Sequence, residues 1–584
     1  DAILTALGGT VYPTGSFENG RLALNELPSS ENEDSGISLE INRNFGNFDF
    51  VSVTAFRSFD IRDSVDTDFT NISLASRLQD AEQNMWSQEF RIHSNQEERL
   101  RYLGGVYFYK QELESSDFLS LGNMLPNYVV AASPDILGPL VGTPPALLGF
   151  INTAYGQNFG LAFAPPVVPG NTIQDFSDQD HSASAIFGRI DYDITDNLEI
   201  NIGLRYTDES KEMRSRFAES VQTPGLSDLN VTAIGAALGI TGAQAKAYAG
   251  APPGDGTGNT FNQTLAAMNP TPFLPALNVL YVPGWANCSV TTRFCPRPNI
   301  NADLDDSRVT GNIGLSWRMD DSSLIYANFG TGYKSGGTNT DRIGLGFDTT
   351  FASEDTETLE IGIKKDFIDN NLRINLAFYD MKVKDLQTNT FTGTAFNLQN
   401  AGRVDVQGIE AEIWWNPTDT INFFLVYTGT DGAFGDFKKG NCQIANIFHT
   451  GNPTEAAQDA TAGFCDRSGD RVGGVADDHV SLNATKTFDF GNGNELQIGA
   501  EYVSYSDMIM HNNNDPFALQ EGREFLNLRA IARFDNGFEA MLWGRNVTDE
   551  KWYGTVFDSP LQDGKLSAYP REPSTYGLTL RKVF

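Results

Sequence analysis

Apolar and polar residues alternate one by one along most of this chain, in runs that come in pairs. In residues 371–380, Leu372, Ile374, Leu376 and Phe378 share one face, opposite Arg373, Asn375, Ala377 and Tyr379. In residues 525–534, Leu526, Leu528, Ala530, Ala532 and Phe534 oppose Asn527, Arg529 and Arg533. Leu359, Ile361 and Ile363 likewise oppose Glu360 and Lys364. A period of two is that of a β-strand with one apolar face. Paired runs are joined by short polar segments rich in Asp, Asn and Gly, such as Phe45-Gly46-Asn47, Thr195-Asp196-Asn197, "RMDDSS" and "RFDNGF". These residue types accept the backbone angles of hairpin turns.

Alternation alone would also suit a soluble sandwich, and two further features separate the cases. Many runs reach about ten residues, the length a tilted strand needs to cross a bilayer. Short turns also alternate with long connections, at approximately 61–80, 116–180, 214–303, 331–354, 385–403, 430–476, 507–520 and 555–572. Tight turns at one end and long loops at the other are the asymmetry of outer-membrane barrels. The pattern predicts an all-β, transmembrane antiparallel barrel of about 17 strands over residues 36–584, with residues 1–35 an outer loop leading into it. First and last strands then point the same way, so closure requires an odd number of further strands. The chain ends on "STYGLTLRKVF", with Tyr576, Leu578, Leu580 and Phe584 on one face, as if the strand were needed to its last residue.

Composition narrows the function. Against 41 basic residues stand 75 acidic ones, a net charge of −34. That excludes a nucleic-acid partner, which needs an excess of cations, and supplies no polybasic membrane anchor. With 40 Phe and 19 Tyr the chain is too aromatic to be a disordered acidic tail. It has no run of about 18 apolar residues, which excludes a membrane helix and leaves a barrel, whose apolar residues are diluted by alternation. The start, "DAILTALGGTVYPTG", reads as a processed or incomplete N-terminus. Cys288 with Cys295, and Cys442 with Cys465, are two short-range pairs in loop-like sequence and predict two disulfides in an oxidising compartment.

Several hairpins carry recognisable phrases. "SQEFRIHS", "FGRIDYDITDNLEINIGLRYTDESK", "LIYANFGTGYKSGG", "ETLEIGIKKDFIDNNLRINLAFYDMKVKDLQ", "NAGRVDVQGIEAEIWWNP" and "GRNVTDEKWYG" together resemble TonB-dependent outer-membrane receptors. The C-terminal strand resembles the family's barrel-assembly signal, from which Lys582 departs where an aromatic or apolar residue is usual. The resemblance implies 22 strands, of which five lie outside this sequence. It also implies an N-terminal plug and TonB box, which the sequence does not contain. The implied protein is an active importer in a Gram-negative outer membrane, built by the barrel-assembly machinery among lipid and lipopolysaccharide. The TonB-ExbB-ExbD complex would energise it through the N-terminal part. Its cargo would be a small molecule, most often a ferric siderophore in this family, with a glycan next and cobalamin third. A passive porin or surface-structural barrel stands as the alternative.

Candidate ligand contacts follow from charge and stacking. Arg205, Arg529 and Arg545 are basic residues that can focus the field on an anionic ligand inside an acidic protein. Trp285, Trp552 and Tyr553, in or beside outer loops, offer stacking surface. Trp317, Trp414, Trp415 and Trp543 lie near strand ends and predict an interfacial girdle. Asp63, Asp66 and Asp68, and Asp466 with Asp470, lack calcium-loop spacing and read as acidic solvated loops. His181, His449 and His479 are isolated in sequence; no catalytic constellation, cofactor motif or metal site is recoverable.

Overall fold

The computed structural model describes residues 1–12, 20–94, 98–125, 128, 170, 172–219, 299–340, 348–391, 396–443, 464–560, 562 and 565–583. Seventeen strands form one antiparallel sheet. They are β1 (Ser29–Asn44), β2 (Phe48–Asp66), β3 (Ala75–Ser94), β4 (Leu100–Leu121), β5 (Thr172–Thr195) and β6 (Leu198–Glu219). Next come β7 (Ile300–Asp320), β8 (Ser323–Lys334), β9 (Glu354–Phe367), β10 (Leu372–Phe391), β11 (Phe396–Thr418) and β12 (Ile421–Asp436). The last five are β13 (Asp478–Gly491), β14 (Asn494–Tyr505), β15 (Arg523–Arg533), β16 (Phe538–Arg545) and β17 (Thr575–Lys582). Each pairs with its neighbours in the chain, a continuous meander. This matches the strand number and direction read from the alternation.

The register carries one face from strand to strand. Tyr102 pairs with Ile190, Ile190 with Ile202, Ile202 with Ile313, Ile313 with Phe329, and Phe329 with Leu359. All six are exposed large apolar side chains. A wall whose apolar face is turned outward is the inverse of a soluble domain and fits a lipid surroundings. No helix among the described residues is long and apolar enough to cross a membrane. The longest strand, β5, has 24 residues, well beyond the 9–11 that span a bilayer, so the wall rises past the membrane. There both faces can be polar. That explains why β1 begins at Ser29, in "SSENEDSG", and not near Ile37 where apolar alternation starts.

Among the described residues β1 and β17 each have one partner, and all sixteen residues of β1 are exposed. At the long-loop end, connections from both sides of this seam touch. Phe69 packs on Phe557 at 5.1 Å, and Gln562 donates to the Asp68 carbonyl at 2.7 Å. Buried apolar side chains gather at the same end. One cluster joins Leu4, from the helix α1 (Ala2–Ala6), to Leu74, Leu121 and Ile173. Another joins Val383, Val404, Phe434 and Phe437.

Tight turns use the residues their backbone demands. Gly537 has φ +76° and its α-carbon faces the Val583 carbonyl, so a β-carbon there would lie 2.7 Å from that oxygen. The tryptophan girdle is half of what the sequence predicted. Trp317 and Trp415 are exposed on the outer face. Trp414 alternates with Trp415 and so faces the lumen, stacked on Phe424 at 4.9 Å. Trp543, beside the exposed Leu542, also faces inward, across Gly577. Strand ends alone do not settle facing; the parity within each strand does.

Cys442 and Cys465 are joined, closing a loop of sequence separation 23. Cys288 and Cys295 lie outside the described residues. A loop of that length limits the unfolded chain by about 3 kcal/mol in the entropy model. Replacing both Cys442 and Cys465 by Ser is expected to speed amide exchange between 437 and 477 while leaving β12 and β13 protected. Uniform protection in the double variant would show that the bridge adds nothing to this loop.

Candidate functional site

The outer mouth of the barrel is where long connections and lumen wall meet, and the candidate contacts divide there. Arg205 sits on the inner face of β6, since its neighbours Leu204 and Tyr206 are exposed outside. Its guanidinium lies 5.6 Å from the Tyr107 ring and 5.5 Å from Phe187, and Nε donates to Thr207 at 3.0 Å. It lines a cavity of about 500 Å³ with Thr310, Asn312, Asn328 and Thr358. β7 parts from β8 above the Asn312–Gly330 pair, while β8 continues beside β9 to Lys334. Gly203, Gly330 and Gly332, on the same face as Arg205, leave part of the cavity lining without side chains.

Arg529 and Arg545 lie nine and ten strands further round the wall, on β15 and β16. Arg529 pairs in register with Trp543, and its stem covers Gly499. Arg545 sits 5.2 Å from the Trp543 ring. Trp552 joins them at the mouth, stacked on Phe525 at 5.0 Å. Tyr553 begins the hairpin Tyr553–Asp558 with Leu566–Pro570, and its amide donates to Gln520 at 2.8 Å. Trp285 lies outside the described residues. The structure thus gathers Arg529, Arg545 and Trp552 on one side and leaves Arg205 on another.

Sequence reasoning missed the partners of this group. Arg523 on β15 stacks on Tyr505 at 4.2 Å and lies 5.7 Å from Trp552. His479, isolated in sequence, stacks on Tyr505 at 4.3 Å. Alternation outward from Arg529 would have put Arg523 on the lumen face, but cross-strand neighbours are invisible without the register. His181 is no more isolated. Its Nε2 lies 2.8 Å from Glu209, which also accepts from Tyr333 at 2.9 Å. With Lys211, which donates to the Gly336 carbonyl at 2.8 Å, these residues tie the 335–353 connection to the wall.

The outer aspartates are structural and mostly not solvated as the sequence implied. Asp66 and Asp68 are buried. Asp68 accepts from the amides of Thr70, Leu74 and Ala75 at 3.0, 3.1 and 2.8 Å, closing the turn from β2 to β3. Asp66 accepts from the amides of Asn25 and Phe69. Asp466 accepts from Lys438 at 2.6 Å and the Ser468 amide at 2.9 Å, which hold its carboxyl well below the usual range. Asp470 pairs with the buried Arg467 at 3.0 Å. Loop carboxylates fold inward here because backbone amides without strand partners need acceptors. Among the described residues no group of three His, Cys, Asp or Glu is placed to hold a metal ion.

A meander wall with lipid-facing apolar rows, long strands and a cationic, aromatic inner mouth defines an outer-membrane β-barrel. Residues 5–547 match the family model described as TonB dependent receptor-like, beta-barrel, and the chain belongs to that family. Solved structures agree in fold. The ferric yersiniabactin uptake receptor FyuA from Yersinia pestis is 12% identical, with a TM-score of 0.62 over 95% of this chain and 62% of its own. The siderophore receptor PiuA from Acinetobacter baumannii is 13% identical, with a TM-score of 0.59 over 95% and 64%. The copper transporter OprC is 9% identical, with a TM-score of 0.56 over 94% and 67%. This chain therefore spans about two thirds, or a little less, of the solved relatives' lengths.

Proposed function

We propose that the protein is a TonB-dependent active importer of a scarce nutrient, and that its cargo is an iron complex, a ferric siderophore or similar anionic chelate. The observation that carries this reading is the inner mouth: in a chain of net charge −34, Arg523, Arg529 and Arg545 face inward among Tyr505, Trp543 and Trp552. Cations in a low-dielectric, aromatic-walled funnel raise the local concentration of anions that the acidic surface would otherwise repel. The uptake receptors among the solved relatives support the same direction.

The unpaired edges of β1 and β17 point the same way, because an odd number of strands separates their directions in the meander. We infer that five strands and a plug encoded outside this sequence close the wall and fill it, and that TonB-ExbB-ExbD acts on that part. Tyr576, Leu578 and Leu580 lie exposed on the outer face of β17 and would present the assembly signal with Phe584, which lies outside the described residues. A glycan importer is the second reading. The broad face of Trp552 stacked on Phe525 favours it, since sugar rings pack on such surfaces.

Deletion of the gene, growth under iron limitation and uptake of labelled ferric chelates test the reading. Iron limitation is expected to raise expression, and deletion to abolish TonB-dependent uptake of at least one ferric chelate. Expression that follows a polysaccharide and ignores iron would replace the iron cargo by the glycan. Equal uptake with and without TonB would end the importer reading.

A further inference from the structure

Between β7 and β8 the backbone ladder stops short. The two strands share a register from Asp320–Ser323 up to Asn312–Gly330, and no further. Above that pair β7 runs on beside β6 to Ile300, and β8 beside β9 to Lys334. Side chains alone span the split. The Thr331 hydroxyl accepts from the Gly311 amide at 3.0 Å, Arg308 pairs with Asp355 at 3.4 Å, and Asp306 accepts from Ser353. Val309, Thr310 and Gly311 form one edge between the Asn312–Gly330 pair and the Arg308–Asp355 link, and Thr331 and Gly332 form the other. The cavity beside Arg205 lies here. Of its lining, Thr310, Asn312, Asn328 and Gly332 have inner parity, whereas Gly311 and Thr331 have outer parity. Residues of both faces of the wall thus bound one space.

Depth decides what meets that space from outside. At ~2.5 Å of height per residue of tilted strand, Asn312 lies ~20 Å above the inner end of β7, within a band ~25 Å tall. The split therefore begins among outer-leaflet acyl chains and ends at the headgroups. The lipid-facing row Ile202, Ile313, Phe329 and Leu359 lies directly beneath it. Leu204 and Val309, 61% and 68% exposed, flank it. The Gly311 amide points across the split, so the amide and carbonyl of Val309, two residues on, point the same way. No strand meets them there among the described residues. Bare backbone at bilayer depth is costly unless water or a polar ligand reaches it. On the lumen side Arg205 is half-buried and donates from Nε to Thr207 at 3.0 Å. Among the described residues it has no carboxylate within ion-pair distance.

We propose that the split is a lateral opening in the wall, occupied by a single-chain amphiphile of the outer leaflet with an oxyanion head. The head rests on Arg205 and the chain stays among the lipids. Continuity argues for this occupant: a chain along Leu204, Ile313 and Phe329 extends the surface that already faces lipid. Thr310, Asn312 and Asn328 suit the head. A neutral chain would leave Arg205 unmet, and an anion without a chain has no reason to enter from the side. The site is separate from capture at the outer mouth and does not depend on what the cargo is.

Dodecanoate carrying a photoreactive diazirine near its carboxylate is the probe, with dodecanol and acetate as the chain and the head alone. The full protein, purified from its outer membrane and placed in phosphatidylcholine vesicles, is labelled and digested, and adducts are mapped by mass spectrometry. Heat-modifiable gel mobility confirms that each variant is folded. Saturable adducts are expected within 309–312 and 328–332, competed by unlabelled dodecanoate and roughly tenfold less well by dodecanol or acetate, the usual worth of a charge-assisted hydrogen bond. Arg205→Gln should weaken binding by a similar factor. Gly330→Leu should abolish it, because a β-carbon at 330 meets nothing nearer than 3.9 Å and the longer side chain enters the cavity. Adducts around Ile361, on the general lipid face, should be non-saturable and unchanged in both variants. Saturable labelling of the split that survives Gly330→Leu would overturn the proposal. So would equal competition by dodecanol, or an absence of saturable adducts in the wild type, as when another part of this chain fills the split.

Discussion

Asp68→Ala is expected to loosen the outer turn from β2 to β3 while leaving the barrel wall intact. The Asp68 carboxylate is the acceptor for the amides of Thr70, Leu74 and Ala75 and for the Thr70 hydroxyl. The residue is fully buried, so water does not replace it. Each buried donor left unsatisfied costs about 1–3 kcal/mol, and relaxation shares the loss, which puts the local effect at about 3–5 kcal/mol. The turn also carries Phe69, packed on Phe557 and Tyr569, and the carbonyl that receives Gln562. Its release should therefore expose the 559–565 connection too. Hydrogen exchange resolved to residues 68–75 and 553–570 measures both, and unchanged protection would show that the carboxylate does not hold the turn.

The same carboxyl gives the outer turn a pH dependence. Burial pushes Asp68 up to about 6, and the neighbouring Asp66 adds to the rise, while bonds from Thr70, Ala75 and Leu74 oppose it. The folded value stands above the unfolded one, near 4, so the folded state binds the proton more tightly. The resulting stability is fully present below about pH 4 and is lost as pH rises through about 6, an effect of up to ~3 kcal/mol. Lys565, close enough to feel Asp68 and itself lowered by burial, does not reverse the sign. Asp68→Asn keeps an acceptor without a charge and should flatten protection of residues 68–75 across this window. A turn equally protected at pH 4 and pH 7 would refute the buried ionisable group.

These aspartates also mark where the sequence stopped being legible. Strand number, direction and facing were readable because alternation of one residue is a local property: Leu526, Leu528 and Ala530 share a face whatever lies beside them. The free pairing of β1 and β17 was readable for the same reason, through parity. Facing of Trp414 and Trp543 was readable too, had parity been applied in place of position near a strand end. What was not local stayed hidden. Asp68 looks like any loop acid until the amides of Leu74 and Ala75 turn toward it. Arg523 differs from Arg533 in what β14, β16 and the 546–552 connection bring against each of them. His479 and Tyr505 are 26 positions apart and meet only through the β13–β14 register. A cluster drawn from three strands and a loop leaves no contiguous signature.

Ile361→Arg is expected to cost far more than Thr358→Arg, three residues away on the same strand. Ile361 is exposed and pairs with Ala327 and Phe378, on the row that continues through Leu359 and Phe329. It stands six residues from the inner end of β9, ~15 Å above that rim and so near the middle of a ~25 Å apolar band. Arginine facing acyl chains at that depth costs about 2–4 kcal/mol. Thr358 lies on the opposite face and lines the cavity beside Arg205 and Asn328, where water and polar side chains solvate a guanidinium. Its replacement should shift stability by less than about 1 kcal/mol, the ordinary range for a solvated site. Urea unfolding of the full protein in lipid vesicles, with heat-modifiable mobility as the measure of assembled barrel, separates the two. A soluble sheet sandwich would bury one of these faces against protein and reverse or erase the difference. Equal costs at 358 and 361 would therefore argue against lipid on one side of the wall and a wet lumen on the other.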